Sequence, residues 1–267
     1  MLAEALSSGG DFQPSDANTI NGQPGDLFPC SSDTTFKLPV EHGKTYMLRI
    51  INSSLTNEFF FAIAGLSLTV VGTDAAYTKP FTVDHVFIGT GQTKTVLLNA
   101  DRGRSNHTRY YMVARPYATN PLARFDNSTT TAVLEYIDAP QATAMSDIPV
   151  LPAINDSTAA EAYSVQLKSL ASEEHPVDVP RLVDEHMLIT IAVNVLPCTP
   201  NETCGGPAGN RQAASLNNVS FVNPSVDILG AYYRSVCGVF DADFPNKPPF
   251  FFNFTDVDND PIERWAT

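Results

Sequence analysis

Histidine is scarce in this sequence, and the five present, His42, His85, His107, His175 and His186, are never closer than 11 residues. That spacing excludes a His-x-His pair on one strand and a His-x-x-x-His pair on one helical turn, the local ways of clamping a transition metal. Gly-x-Ser-x-Gly elbows, phosphate-cradling glycine loops and dinucleotide fingerprints are absent as well. The densest acidic run, "DVDNDP" from Asp256, carries Pro261 where a calcium loop needs glycine, so it reads as a solvated turn. Basic residues are few: 16 Lys plus Arg against 29 Asp plus Glu give a net charge of −13. Such a surface repels phosphate backbones and anionic lipid, which argues against nucleic-acid and membrane partners. The longest apolar stretches, near residues 59–63 and 187–196, fall far short of the ~20 residues that span a bilayer.

Cysteine is also sparse, with four in 267 residues. Cys198 and Cys204 bracket "TPNET" ahead of "GGP", a polar loop short enough to close on itself in an oxidising compartment. Closing it contributes about 2 kcal/mol in the chain-entropy view. Cys237 in "RSVCGVF" reads as a buried small hydrophobe. Cys30 ends the turn-rich stretch "SDANTINGQPGDLFPCS", residues 15–31, with no other cysteine for the next 167 residues and no evident partner in the chain.

Asn-x-Ser/Thr sequons, by contrast, are in excess. Seven begin at Asn52, Asn106, Asn127, Asn155, Asn201, Asn218 and Asn253 and point to a glycosylated, secreted chain. The start, "MLAEALSSGG", has neither a basic region nor an apolar core, so it is not a signal peptide, and the expectation is that the true beginning of the polypeptide lies upstream.

β-branched and aromatic runs recur roughly every 10 residues from 35 to 136: "TFKLPV", "TYMLRII", "FFFAIAG", "LSLTVV", "FTVDHVFI", "TKTVLLNA", "RYYMVAR" and "TAVLEYI". Polar or Gly/Pro turns separate them, the pattern of an antiparallel sandwich or barrel. Asp84 and His85 adjoin within one run and, as strand neighbours, should face opposite ways. Residues 139–180 are proline-rich and read as a linker with one short helix. Thr158 and Glu161 form a capping box for it, with Leu167 and Leu170 on its apolar side. Strand-like runs resume in "HMLITIAVNVLPC", "AASLNNVSFV" and "PPFFFNFT", too few for a second complete sandwich.

The ordered set "DANTINGQPGDLFPCS", "GKTYMLRIINSS", "FFFAIAGLSLTVVGTDAAYTKPF", "GQTKTVLL", "YYMVARPY", "FDNSTTTAVLEY", "PVDVPRLVDEHMLITIAVNVLPC" and "AASLNNVSFVNP" resembles the plant laccases, secreted multicopper oxidases built from three cupredoxin domains. The resemblance runs from about residue 16 to 255. It implies an all-β, cupredoxin-like Greek-key sandwich, with one complete domain and part of another. Residues 1–14 are then a remnant of an inter-domain segment, 15–138 the second cupredoxin domain, 139–180 the linker, and 181–267 the start of the third domain.

The same resemblance implies that a full-length relative oxidises phenols such as monolignols with dioxygen in the apoplast, using copper, four ions in all. The family's ligand motifs, His-Trp-His-Gly, His-x-His, His-Pro-x-His-x-His and His-Cys-His, have no counterpart here, where the single tryptophan is Trp265. No copper is therefore expected to bind this chain alone, and the chain alone should be inactive. Cys30 matches a cysteine that bridges to the first domain. Asp16 is the candidate for a carboxylate lining the phenol cleft, although it also reads as the side chain that starts the turn before Asn21-Gly22. Two other readings stay open: a non-catalytic secreted β-sandwich glycoprotein acting as a binding module, and a related copper oxidase such as ascorbate oxidase.

Overall fold

A computed structural model describes residues 8–10, 14–101, 107–119, 125–138, 145–220, 224–240 and 244–249. The chain divides into two units, Pro14–Val177 and a second that joins Met1–Gln13 to Asp178–Thr267.

Within Pro14–Val177 the β-prone runs form β1 (Lys37–Val40), β2 (Thr45–Ile51), β3 (Glu58–Ile63), β4 (Leu68–Thr73), β5 (Ala76–Val83), β6 (Val86–Ile88), β7 (Thr93–Asn99), β8 (Arg109–Tyr117) and β9 (Thr130–Tyr136). One sheet has the order β1-β9-β8-β3-β6 and the other β2-β7-β4-β5. β1 and β9 pair in parallel, and the other pairings are antiparallel. Period-two alternation aims Leu68 and Val70 of β4, and Val96 and Leu98 of β7, into the space between the sheets, where none retains exposed surface. Phe61, Ile63, Ala132 and Leu134 meet them from the opposite sheet.

β3 breaks the alternation: Phe60, Phe61, Ala62 and Ile63 are all buried. A run buried on both faces needs a cover on its outer side. Residues 145–170 provide it. Phe60, Ala62 and Val113 pack there with Leu151 and Ala160 in a second apolar cluster. The Arg115 guanidinium donates to the Leu151 and Pro152 carbonyls, both at 3.2 Å. Met145 bridges to Arg109 and Ser169 to Thr78. The described part of the stretch read as a linker is thus a strap, held because the outer face of β3 and β8 is apolar.

The strap's helix, α1 (Ser157–Ser164), differs from the expected capping box. Its cap is Asp156, whose Oδ1 accepts from the Ala159 amide at 2.9 Å. A carboxylate placed there satisfies an orphan amide and also complements the positive end of the helix dipole, so it wins over Thr158. The helix ends at Ser164, which leaves Leu167 packed on the core just beyond it and Leu170 half exposed.

In the second unit β10 (Ile191–Leu196) and β11 (Arg211–Leu216) form an antiparallel hairpin, followed by α2 (Ile228–Arg234). Cys198 and Cys204 are joined by a disulfide in the connecting loop, Cα to Cα 5.9 Å. Residues 8–10 lie along that loop: the Gly205 amide donates to the Ser8 carbonyl at 3.1 Å and the Gln212 amide to the Gly9 carbonyl at 2.8 Å. Asn217, 2 % exposed, receives the Thr190 amide and donates to the Leu188 and Pro245 carbonyls. Cys237 is exposed, not buried as its apolar neighbours suggested, because it follows the left-handed cap Ser235 into a surface loop. "PPFFFNFT" lies almost wholly outside the described residues.

A partly buried hydroxyl gives the larger unit a pH signature. Tyr111 of β8 donates to Asp26 Oδ2 at 2.5 Å, and burial followed by that hydrogen bond pushes the phenol up to about 12. The folded phenol thus keeps its proton to a higher pH than the unfolded one, near 10. The associated stabilisation is complete below pH 10 and is lost as pH rises towards 12. Tyr111→Phe should cost about 1 kcal/mol at pH 7 and flatten the alkaline limb of a stability-against-pH curve read by urea unfolding.

Candidate functional site

The stretch 15–31 folds as a tethered loop against β8 and β9. Asn21 and Gly22, both at positive φ, make a two-residue turn in which Ile20 and Gln23 exchange backbone hydrogen bonds of 2.9 and 3.1 Å. Asn18 donates to the Asp126 and Ser128 carbonyls at 3.1 and 2.9 Å. Thr130 Oγ1 donates to the Pro24 carbonyl at 3.0 Å, and Thr131 Oγ1 donates to Asp26 Oδ1 at 2.6 Å. Ser31, itself buried, donates to the Gly25 and Phe28 carbonyls. These bonds hold Cys30 exposed at the turn with φ +61°, beside the exposed side chains of Leu27 and Phe28. Asp16 is exposed in a bend before the hairpin, whose closure is made by Ile20 and Gln23.

The histidines do not converge. The His42 ring lies 6.4 Å from the Tyr136 ring, and the His107 ring 6.3 Å from that of Tyr110. His175 and His186 are exposed. His85 sits edge-on to Phe60 at 5.6 Å, and burial lowers its pKa against the opposing pull of Asp84 and Asp156. Asp84 and His85 occupy the bend between β5 and β6 rather than opposite faces of one strand, and Asp84 Oδ1 accepts from Ser67 Oγ at 2.9 Å. Among the described residues no three His, Cys, Asp or Glu side chains come together as metal donors. A blue-copper centre takes two His and one Cys on a single site. The described residues do not fit a copper centre.

Of the sequons, Asn106 and Asn253 lie outside the described residues. Asn127, Asn155, Asn201 and Asn218 are exposed. Asn52 is 6 % exposed: its amide donates to the Asn57 carbonyl at 2.7 Å while its Oδ1 accepts from Ser54. A glycan on that nitrogen has no room and breaks the turn. In glycosylated secreted material, peptide mapping should therefore find Asn52 unmodified and glycan on at least one of the four exposed sites; full occupancy at Asn52 would contradict the burial.

The family follows from sequence comparison. The profile of the multicopper oxidase family matches residues 1–139. The chain belongs to the multicopper oxidase family. Across 97% of its length it is 54% identical to laccase-21 of Oryza sativa subsp. japonica, and across 94% it is 45% identical to laccase-14 of Arabidopsis thaliana. It spans 46% and 43% of those two relatives, under half of each. The laccase of Botrytis aclada shares the fold at TM-score 0.52 and 20% identity, covering 82% of this chain and 37% of that one. Fet3p, a multicopper oxidase that functions in iron import, does so at 0.51 and 18%, covering 72% and 32%. The multicopper oxidase sandwich is thus all-β and cupredoxin-like, and the family is copper-dependent. No helix among the described residues is long and apolar enough to cross a membrane.

Sequence reasoning passed over Lys94, although the signal was there. In "TKTVLLN" the alternation that turns Val96 and Leu98 inward turns Lys94 inward too, and it is 2 % exposed.

Proposed function

We propose that this chain supplies the middle of a laccase that oxidises phenols with dioxygen. Residues 15–138 serve as its second cupredoxin domain, 139–180 as the connection, 181–267 as the start of its third, and 1–14 as an inter-domain segment. The observation that carries this reading is the identity to plant laccases, which runs through nearly the whole chain. The copper donors then come from polypeptide outside these residues, in keeping with the scattered histidines. Cys30, held outward beside exposed Leu27 and Phe28, suits a disulfide to the first domain. Asp16, also exposed, is the candidate for contact with the phenol. Secretion to the apoplast fits the exposed sequons.

The test joins this chain to the flanking segments of rice laccase-21. The purified 267-residue chain should hold no stoichiometric copper and drive no dioxygen uptake on a methoxyphenol. The chimera should load copper, consume dioxygen, and show Cys30 bonded to its N-terminal part in a non-reduced peptide map. A chimera that folds without copper, or copper held stoichiometrically by the short chain, overturns the reading. The first of these outcomes favours a non-catalytic β-sandwich binding module.

A further inference from the structure

A pocket of about 350 Å³ opens where the β6–β7 turn meets the end of α1, wholly within Pro14–Val177. Its walls include Glu58, Phe87, Gln92, Lys94, Tyr163 and Leu167. Two of these carry polar groups that the fold leaves short of partners. Tyr163 is 2 % exposed, and its hydroxyl has no hydrogen-bond partner. Lys94 is equally buried; its ammonium donates to Thr73 Oγ1 at 2.8 Å and lies 6.0 Å from the Tyr163 ring centroid. An ammonium offers three donors and a phenol one, so most of this donor capacity is unmet.

Leaving a buried hydroxyl and a buried cation under-satisfied is costly, and an occupant that accepts from both removes that cost. We propose that this pocket binds a small aromatic monocarboxylate, its carboxylate taking the Tyr163 hydroxyl and the Lys94 ammonium, and its ring lying against Phe87 and Leu167. The volume falls in the range of small-molecule sites. Glu58 sets the charge selection: a carboxyl on the same wall disfavours a dianion such as phosphate beside a single lysine. Burial lowers the Lys94 pKa, and Asp74 acts against that shift, in the sense that keeps the amine charged. Nothing in the proposal draws on copper, so its outcome is separable from that of the laccase reading.

The probe is benzoate, titrated into the purified 267-residue chain and followed by calorimetry and by the melting temperature of the larger unit. Benzoate should bind saturably and raise that melting temperature, as any ligand selective for the folded state does. Inorganic phosphate should not displace it. Tyr163→Phe removes a hydroxyl that bonds to nothing in the free protein, so its fold should be at least as stable; benzoate affinity should nevertheless fall about tenfold, the worth of one hydrogen bond to a charged group. Lys94→Met keeps the length of the side chain and should weaken binding further. Glu58→Gln should tighten benzoate and let phosphate compete. No saturable binding by on the order of 10 mM benzoate, ten times a millimolar Kd, would overturn the proposal. So would an affinity that Tyr163→Phe leaves unchanged.

Discussion

Replacing Gly25 with alanine should unfasten the loop that carries Cys30, at a cost of at least about 3 kcal/mol. Gly25 sits at φ +85°, where an L side chain costs about 1–2 kcal/mol by itself. The larger penalty is contact. A Cβ there would lie 2.2 Å from Thr131 Oγ1, 2.4 Å from the Thr131 carbonyl oxygen and 2.7 Å from its amide nitrogen. Two of those atoms are backbone of β9, paired on one side with β1 and on the other with β8, so β9 cannot retreat. The loop must lift instead and lose the Thr130 to Pro24, Thr131 to Asp26 and Tyr111 to Asp26 hydrogen bonds together. Each is worth about 1 kcal/mol net. Gly22→Ala is the matched control: φ is +79°, but nothing lies within 4 Å of the added carbon, so only the conformational cost of about 1–2 kcal/mol applies. Urea unfolding of both variants measures the difference, and alkylation of Cys30 reports whether the loop has moved. Equal losses for the two variants would mean that the loop does not rest on Thr131.

The sheets were legible in the sequence because each half-buried strand advertises its inward face. The alternation is clearest in β4, "LTVVGT", and β7, "TKTVLLN", where every second residue is buried. Two things were less visible. The run "FTVDHVFI" is two strands, since Asp84 and His85 form a bend that a propensity pattern runs straight through. The strap escaped notice for a different reason: its helix is short, with only Ala160 and Tyr163 buried along it and Leu151 well ahead of it, and proline-rich composition reads as linker whether or not the segment is packed. The cue lay in the partner strand, because "FFFAI" is apolar at both parities and so demands a second cover. The turn-rich loop was readable as turns, while its fastening to Thr130 and Thr131, more than a hundred residues away, was not. The pocket depends on that same unseen packing, since Tyr163 meets Lys94 only because the strap lies where it does.

That dependence makes Phe60 the most informative core position. Its ring has no exposed surface and meets His85, Phe87 and Tyr117 at centroid distances of 5.6, 5.4 and 5.5 Å, two of them edge-on. Phe60→Ala should cost about 3–5 kcal/mol, the range for emptying a buried aromatic site. That is a large share of the roughly 5–15 kcal/mol that holds a typical domain. Leu68→Ala, on the other face of the fold's interior and equally buried, should cost about 2–5 kcal/mol. The two losses should differ in character. Leu68 packs between the sheets, so its removal weakens the whole sandwich, whereas Phe60 packs under Leu151 and Ala160, so its removal also frees the strap. Limited proteolysis under native conditions should then cut residues 145–170 of the Phe60 variant well before the sheets are attacked, and amide exchange in α1 should rise while that in β4 and β7 stays slow. The Leu68 variant should lose protection in both regions together. Selective cleavage of the strap in the Leu68 variant, or none in the Phe60 variant at matched stability, would place the strap's anchorage elsewhere than on β3.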